Sequence, residues 1–175
     1  GAIDDGALTK DARRATRPSS AIELGVLDCT ELPDMEMARE FGERIHYVGT
    51  QTGNSGHYYI DLEGKVVRFV ADPRIANHTV GYNPRSIGIE LVNTGRYPHW
   101  LDSRHQAMEE AYPALQIDAL VALLRGLVAQ LPTLRWIAGH EDLDVEHVAA
   151  TDDVLVQVPR KRDPGPRFPW PAVLA

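Results

Sequence analysis

The chain has 175 residues, of which 43% are hydrophobic and 25% are charged, with a formal net charge of −7 and a single cysteine. This length suits one domain, and the apolar content excludes an intrinsically disordered chain. A single cysteine excludes an intrachain disulfide and a metal site built from several cysteines. The acidic balance argues against broad nucleic-acid binding, which needs a basic face.

No stretch of the sequence approaches the roughly 18 consecutive apolar residues of a membrane-spanning helix. The first residues, Gly-Ala-Ile-Asp-Asp-Gly, do not resemble a signal peptide. A cytoplasmic location and, after removal of an export signal, a periplasmic or secreted location therefore both stay open. We expect a monomer.

The first half of the chain is predicted to begin with a loosely attached polar arm, residues 1–20, followed by one domain over residues 21–175. A short apolar strand is predicted over 22–27. A helix is predicted to begin after Asp34, a residue type that caps helix N-termini, and Gly49 to Gly56 forms a flexible polar loop.

A β-hairpin is predicted next, because two β-rich segments, 57–61 and 65–70, flank a turn that contains glycine. A further strand is predicted over 86–92. The polar stretch 93–113 that follows is long enough to be a functional lid or binding loop.

The last part of the chain contains the clearest helix, 115–131, which ends before Pro132. Its predicted apolar stripe consists of Ile117, Leu120, Val121, Leu124, Leu127 and Val128. A short strand over 136–139 and a mostly polar loop over 141–169 complete the chain. Mixed strands and helices predict an α/β (α+β) fold, a single domain whose central mixed β-sheet is flanked by helices.

Three predicted strands have polar residues at or near their ends, where functional sites are often found. These residues are Asp28 after the first strand, Glu90 within the strand 86–92, and His140 after the last. For each residue alone, a surface cap or a hydrogen-bonded core position is the simpler explanation.

Five motifs, in the same order and with similar spacing, resemble those of the zinc-dependent N-acetylmuramoyl-L-alanine amidases of type 2. This family is related to the peptidoglycan recognition proteins. The likeness extends over roughly residues 22–170. The motifs are Gly56-His-Tyr-Tyr-Ile60 with Glu63-Gly64, Ala76-Asn-His78, Ser86-Ile-Gly-Ile-Glu-Leu91, Ala138-Gly-His-Glu-Asp142 and Lys161-Arg-Asp-Pro-Gly165.

The resemblance implies a zinc ion held by His140, Asp163 and a first histidine, but the position of that histidine is occupied by Asp28. A second carboxylate makes the zinc less electropositive, so it activates water and polarises a carbonyl less. Three interpretations stay open. Asp28 is a working ligand, or the protein is a metal-free homologue that still binds peptidoglycan. Alternatively, Asp28 is an introduced change, or another residue such as His46 completes the site.

The implied reaction is hydrolysis of the amide between N-acetylmuramic acid and L-alanine, in peptidoglycan or muropeptides, by a zinc-activated water. The resemblance makes Glu90 the general base and Lys161 the group that stabilises the oxyanion. The expected alternative is a catalytically impaired or metal-free binding homologue. The candidate substrate-binding residues are His57, His78, Asn54 and Trp100.

Overall fold

A six-stranded mixed sheet lies at the centre of the computed structural model, which describes residues 2–175. Its strands in chain order are β1 (Ile3–Asp5), β2 (Leu24–Cys29), β3 (Tyr58–Ile60), β4 (Val66–Arg68), β5 (Ser86–Leu91) and β6 (Trp136–Gly139). In space the order is β1-β4-β3-β5-β2-β6. All neighbouring pairs are parallel except β3 and β4, which form the predicted hairpin. The predicted fold class is confirmed.

Helices surround this sheet, and a small second sheet lies near the C-terminus. The helices are α1 (Met35–Glu43), α2 (Ala114–Gln130), α3 (His140–Leu143) and α4 (Trp170–Leu174). Helix α1 begins as predicted, since the Asp34 carboxylate accepts a hydrogen bond from the Met37 backbone N–H at 2.8 Å. Within residues 2–175, no helix is both long and apolar enough to cross a membrane.

Helix α2 packs its buried face into the main hydrophobic cluster together with β2, β3 and β5. Two positions of the predicted stripe are wrong, because Val128 is half exposed and Val121 is only partly buried. Leu123 is buried instead. The Gln116 side-chain amide, also buried, donates to the backbone carbonyls of Ile60 and Val92 at 3.0 Å each. These bonds join the start of α2 to the ends of β3 and β5.

The parallel register of the inner strands brings their polar residues to one edge of the sheet. Asp28 pairs with Glu90 across β2 and β5, and Leu27 pairs with Gly139 across β2 and β6. His140 follows Gly139 directly. The carboxyl ends of three adjacent strands thus deliver Asp28, Glu90 and His140 to the same place, which is where open α/β sheets usually hold their sites.

The prediction of a loosely attached N-terminal arm is wrong. Strand β1 pairs with β4 and forms one edge of the sheet. Leu8 is buried in a second hydrophobic cluster, which includes Tyr59 and Phe69. Arg14 and Arg17 are buried as well. The Arg17 guanidinium donates twice to the carbonyl of Asp72, at 3.1 and 3.2 Å. Buried arginines that bond to backbone carbonyls give this segment the polar composition of a loose tail although it is packed.

The prediction of a polar loop over 141–169 is also incomplete. This segment contains helix α3 and an antiparallel hairpin of β7 (His147–Ala149) and β8 (Gln157–Pro159). Each strand has only three residues, too few for a period-two pattern to stand out in the sequence. Residues 93–113 contain turns but no helix or strand, as predicted.

Candidate active site

A cavity of about 530 Å³ opens at the carboxyl edge of the inner strands. Its lining includes Glu90 from β5, His140 at the start of α3, and Lys161 and Asp163 from the segment after β8. Asp28 lies at the end of β2 with only 1% of its side chain exposed. The predicted metal ligands and the predicted catalytic residues are therefore brought together.

Asp28, His140 and Asp163 offer three ligand atoms that all lie within 4.8 Å of one another. Nδ1 of His140 is 2.6 Å from Oδ1 of Asp28 and 3.3 Å from Oδ2 of Asp163. The Cys29 backbone N–H donates to the same Asp163 oxygen at 3.2 Å. His46 lines the cavity, but in the described part of the chain it does not belong to this group of ligand atoms.

The Asp28 carboxylate is in a setting that suits a cation. Both of its oxygens are buried and neither has a hydrogen-bond partner, although His140 is close. A buried carboxylate normally has hydrogen bonds to offset its loss of solvation. One imidazole and two carboxylates are ligands that zinc accepts in four-coordinate sites. These residues therefore fit a divalent metal ion.

The charges in this cluster shift one another strongly. Burial alone would lower the pKa of His140, but the carboxylates of Asp163 and Asp28 raise it to about 11. Burial alone would raise the pKa of Asp28. The positive charge of His140 outweighs this effect, so the pKa of Asp28 lies below its usual range. Burial raises the pKa of Asp163. The positive charge of a protonated His140 thus offsets part of the negative charge of the two carboxylates.

Glu90 is the third carboxylic acid at this site. Burial and the neighbouring charges of Asp28 and Asp163 raise its pKa well above the usual value. A carboxyl group whose pKa is raised by its surroundings is suited to exchange a proton during a reaction. Lys161 is exposed at the cavity and supplies positive charge there.

The candidate substrate-binding residues divide into two groups. His78, Asn54 and Trp100 line the cavity. His57 does not, because its side chain is fully buried in the fold. Its Nδ1 accepts from the Gly88 N–H at 3.1 Å, and its Nε2 lies 2.8 Å from the Arg74 carbonyl. The expectation that His57 binds substrate is therefore wrong, since packing against β5 explains its position.

Residues of the segment 93–113 line one wall of the cavity, and this segment touches the β7–β8 hairpin. The Thr151 N–H donates to the Leu101 carbonyl at 2.9 Å. The Ser103 N–H and hydroxyl donate to the Asp152 carboxylate at 2.7 and 2.6 Å. The predicted binding loop is thus fastened to a hairpin that the sequence did not reveal.

A buried ion pair between Glu31 and Arg96, which the sequence reasoning missed, connects this wall to the end of β2. The Arg96 guanidinium binds both carboxylate oxygens of Glu31, at 2.8 and 3.0 Å. The Trp100 indole N–H donates to the Glu31 carbonyl at 2.9 Å, which also fixes Trp100 in the lining. The two charged residues are 65 positions apart, and neither belongs to a motif, so no sequence signal pointed to the pair.

Comparison with known proteins identifies similar chains. The sequence profile of the N-acetylmuramoyl-L-alanine amidase family matches residues 18–166. The chain is also 35% identical over 88 residues to the N-acetylmuramoyl-L-alanine amidase AmiD of Escherichia coli (strain K12). That match covers 50% of this chain and 26% of the relative, so it spans about a quarter of the relative's length.

Solved structures share the fold. A crystal structure of AmpD, as a selenomethionine derivative, has a TM-score of 0.70 at 21% identity and covers 98% of this chain and 92% of that one. The complex of E. coli AmiD with the substrate anhydro-N-acetylmuramic acid-L-Ala-D-γ-Glu-L-Lys has a TM-score of 0.66 at 22% identity. It covers 91% of this chain and 58% of that one.

Proposed function

Because the chain belongs to the N-acetylmuramoyl-L-alanine amidase family, we propose that it hydrolyses the amide between N-acetylmuramic acid and L-alanine in peptidoglycan or muropeptides. The observation that carries the proposal is the buried cluster of Asp28, His140 and Asp163, beside Glu90 and Lys161 in one cavity. This arrangement supplies metal ligands, a proton acceptor and a cation within the same site.

Asp28, His140 and Asp163 would hold a divalent metal ion, with zinc as the ion that the family implies. When bound there, such an ion polarises the amide carbonyl and lowers the pKa of a water molecule. The lack of hydrogen bonds to the Asp28 oxygens supports Asp28 as a working ligand. Aspartate is an accepted zinc ligand, although a site rich in oxygen shifts the preference toward harder ions.

Glu90 and Lys161 would carry out the remaining chemistry. Glu90 accepts a proton from the attacking water while the oxygen of that water bonds to the amide carbon. The negative charge that develops on the carbonyl oxygen is stabilised by the Lys161 ammonium. Glu90 then returns the proton to the nitrogen of L-alanine as the carbon–nitrogen bond breaks. The products are the muramic acid carboxylate and the free amine of the stem peptide.

The wall of residues 93–113, which the β7–β8 hairpin contacts, would border the path of the substrate. Trp100 is held in this wall by its bond to Glu31, and Asn54 lies in the same cavity lining. An indole ring suits the apolar face of a sugar, and an amide suits a peptide carbonyl or N–H. The AmiD complex with a muropeptide supports this class of substrate for the present chain.

The test combines elemental analysis of the purified protein with detection of the peptide released from a muropeptide. We expect close to one zinc ion per chain and release of a peptide that begins with L-alanine. Glu90→Gln should lower kcat by about 10²- to 10⁴-fold with little change in zinc content, because it removes only the proton acceptor. Glu36→Gln, on the exposed face of α1, is the matched control and should keep full activity.

The outcomes separate this proposal from its alternative. A protein that holds no metal and releases no peptide, but still binds muropeptide, is the impaired homologue that binds without cleaving. If Glu90→Gln keeps its activity, Glu90 is not the proton acceptor and the assignment of roles fails.

A further inference from the structure

His78 approaches the Asp28 carboxylate from outside the group of three ligand atoms. Nδ1 of His78 lies 3.6 Å from Oδ2 of Asp28, whereas Oδ1 of Asp28 faces His140. Both side chains are only 1% exposed. The two oxygens of this carboxylate therefore have different neighbours, and the ring of His78 lies on the side away from His140.

The ring of His78 is held in place by its own surroundings. Its Nε2 lies 3.1 Å from the Ser86 hydroxyl, and its Nδ1 lies 2.9 Å from the Thr79 hydroxyl. The Asn83 side-chain oxygen accepts the backbone N–H groups of His78 and Thr79, at 3.0 and 2.8 Å, and so fixes the backbone of this loop.

The neighbouring strand also leaves room for this ring. Gly88 of β5 lies directly against it, and a Cβ atom at position 88 would stand 2.7 Å from two carbon atoms of the His78 imidazole. A side chain there would displace the ring. The absence of a side chain at Gly88 thus permits the position that His78 takes beside Asp28.

The Asp163 carboxylate has a hydrogen-bond donor, and the Asp28 carboxylate lacks one. A carboxylate that binds a metal is usually oriented by a hydrogen bond to its other oxygen. The Cys29 N–H donates to Oδ2 of Asp163, the same oxygen that faces His140, while the Asp28 oxygens have no hydrogen bond. A neutral imidazole carries one N–H, and the partner of the other nitrogen decides which nitrogen bears it. When the Ser86 hydroxyl donates to Nε2, the proton lies on Nδ1, which then faces two acceptors, the Thr79 hydroxyl at 2.9 Å and Oδ2 of Asp28 at 3.6 Å.

We propose that His78 is a positioning residue for Asp28. When Asp28 binds a metal through Oδ1, the Nδ1–H of His78, which lies 3.6 Å from Oδ2 in this structure, would donate to Oδ2 and keep Oδ1 with the ligand atoms of His140 and Asp163. This inference rests on the proposed metal site. It predicts that His78 matters to metal binding only while residue 28 is an aspartate, since an imidazole at that position offers no carboxylate to orient.

The test measures zinc affinity by competition with a chelator, for isosteric substitutions in two backgrounds. In the natural sequence, His78→Leu should weaken zinc binding by about 10- to 100-fold, because it removes the donor. The Asn side chain of His78→Asn has nearly the same shape as Leu but keeps an N–H near the position of Nδ1. The zinc affinity of His78→Asn should therefore stay within about threefold of that of the natural protein. In the Asp28→His background, the zinc affinities of His78→Leu and His78→Asn should differ by less than about threefold.

The unfolding midpoint of each zinc-free protein shows whether a variant is folded, so that a general loss of structure is not taken for a loss of affinity. Equal zinc affinities of His78→Asn and His78→Leu in the natural sequence would overturn the inference, while zinc binding by the natural protein keeps the proposed function intact. A natural protein that binds no zinc would instead overturn the proposed metal site, and the role of His78 with it.

Discussion

Asp28→Ala is expected to lower the zinc affinity by at least about 100-fold, since even residues that only support a metal ligand contribute 10- to 100-fold. The substitution removes one of three buried ligands. It also removes one of the two carboxylates that raise the pKa of His140. Peptide release should be lost together with the metal. Elemental analysis after dialysis and the muropeptide assay measure the two effects separately.

Asp28→His is the matched comparison, because it replaces the carboxylate with the residue that the resemblance leads one to expect. It removes one negative charge and one hard oxygen donor from the site. We therefore expect a larger ratio of zinc to manganese affinity than in the natural protein, since manganese favours oxygen ligands and zinc accepts imidazole readily. If Asp28→Ala keeps stoichiometric zinc, Asp28 is not a ligand. The metal would then have to be held by other residues of the cavity.

The candidate site was predictable from the sequence because its residues stand at the ends of regular strands or in matched motifs. Asp28, Glu90 and His140 follow from strand positions, and the parallel register then places them side by side. Asp163 followed only from the resemblance, since nothing in its local pattern distinguishes it from the other acidic residues nearby. That Asp28 lacks hydrogen bonds is a property of the folded site and has no sequence signal.

Other parts of the fold were not predictable, for physical reasons. Strand β1 is exposed and polar, so its sequence has no apolar pattern, and its pairing with β4 depends on backbone hydrogen bonds. His57 belongs to a matched motif, but its role in packing was decided by Gly88 and the Arg74 carbonyl, which the sequence could not place beside it. A motif shows that a residue is present, whereas the orientation of its side chain is set by contacts with residues that are distant in the sequence.

Substitution in the buried ion pair of Glu31 and Arg96 is expected to cause a large loss of stability. Arg96 uses all five of its guanidinium N–H groups: two reach the Glu31 carboxylate, and the others reach Gln106 and the carbonyls of Pro159 and Arg160. The side chains are 1% and 10% exposed. One side chain thus joins the end of β2, the stretch 93–113 and the end of the β7–β8 hairpin.

Arg96→Met is expected to lower the free energy of unfolding by about 3–5 kcal/mol, because it leaves the buried Glu31 carboxylate without its partner. Denaturant unfolding of the zinc-free protein measures this change. Lys65→Met is the control, since it breaks an ion pair with Asp4 whose side chains are 60% and 56% exposed, and it should cost less than about 1 kcal/mol.

Replacing both Glu31 and Arg96 with apolar residues of similar size should recover part of the lost stability, because no unpaired charge then remains buried.

The Arg96 side chain also contacts the segment that carries Lys161. Lys161 follows Arg160, whose carbonyl accepts a hydrogen bond from Arg96 at 3.2 Å, so loosening this connection should also reduce activity by moving the cation at the cavity. Hydrogen exchange should therefore rise in residues 93–113 and 157–161 of Arg96→Met, but not in Lys65→Met. Equal stability of these two variants would show that the ion pair does not hold the wall in place.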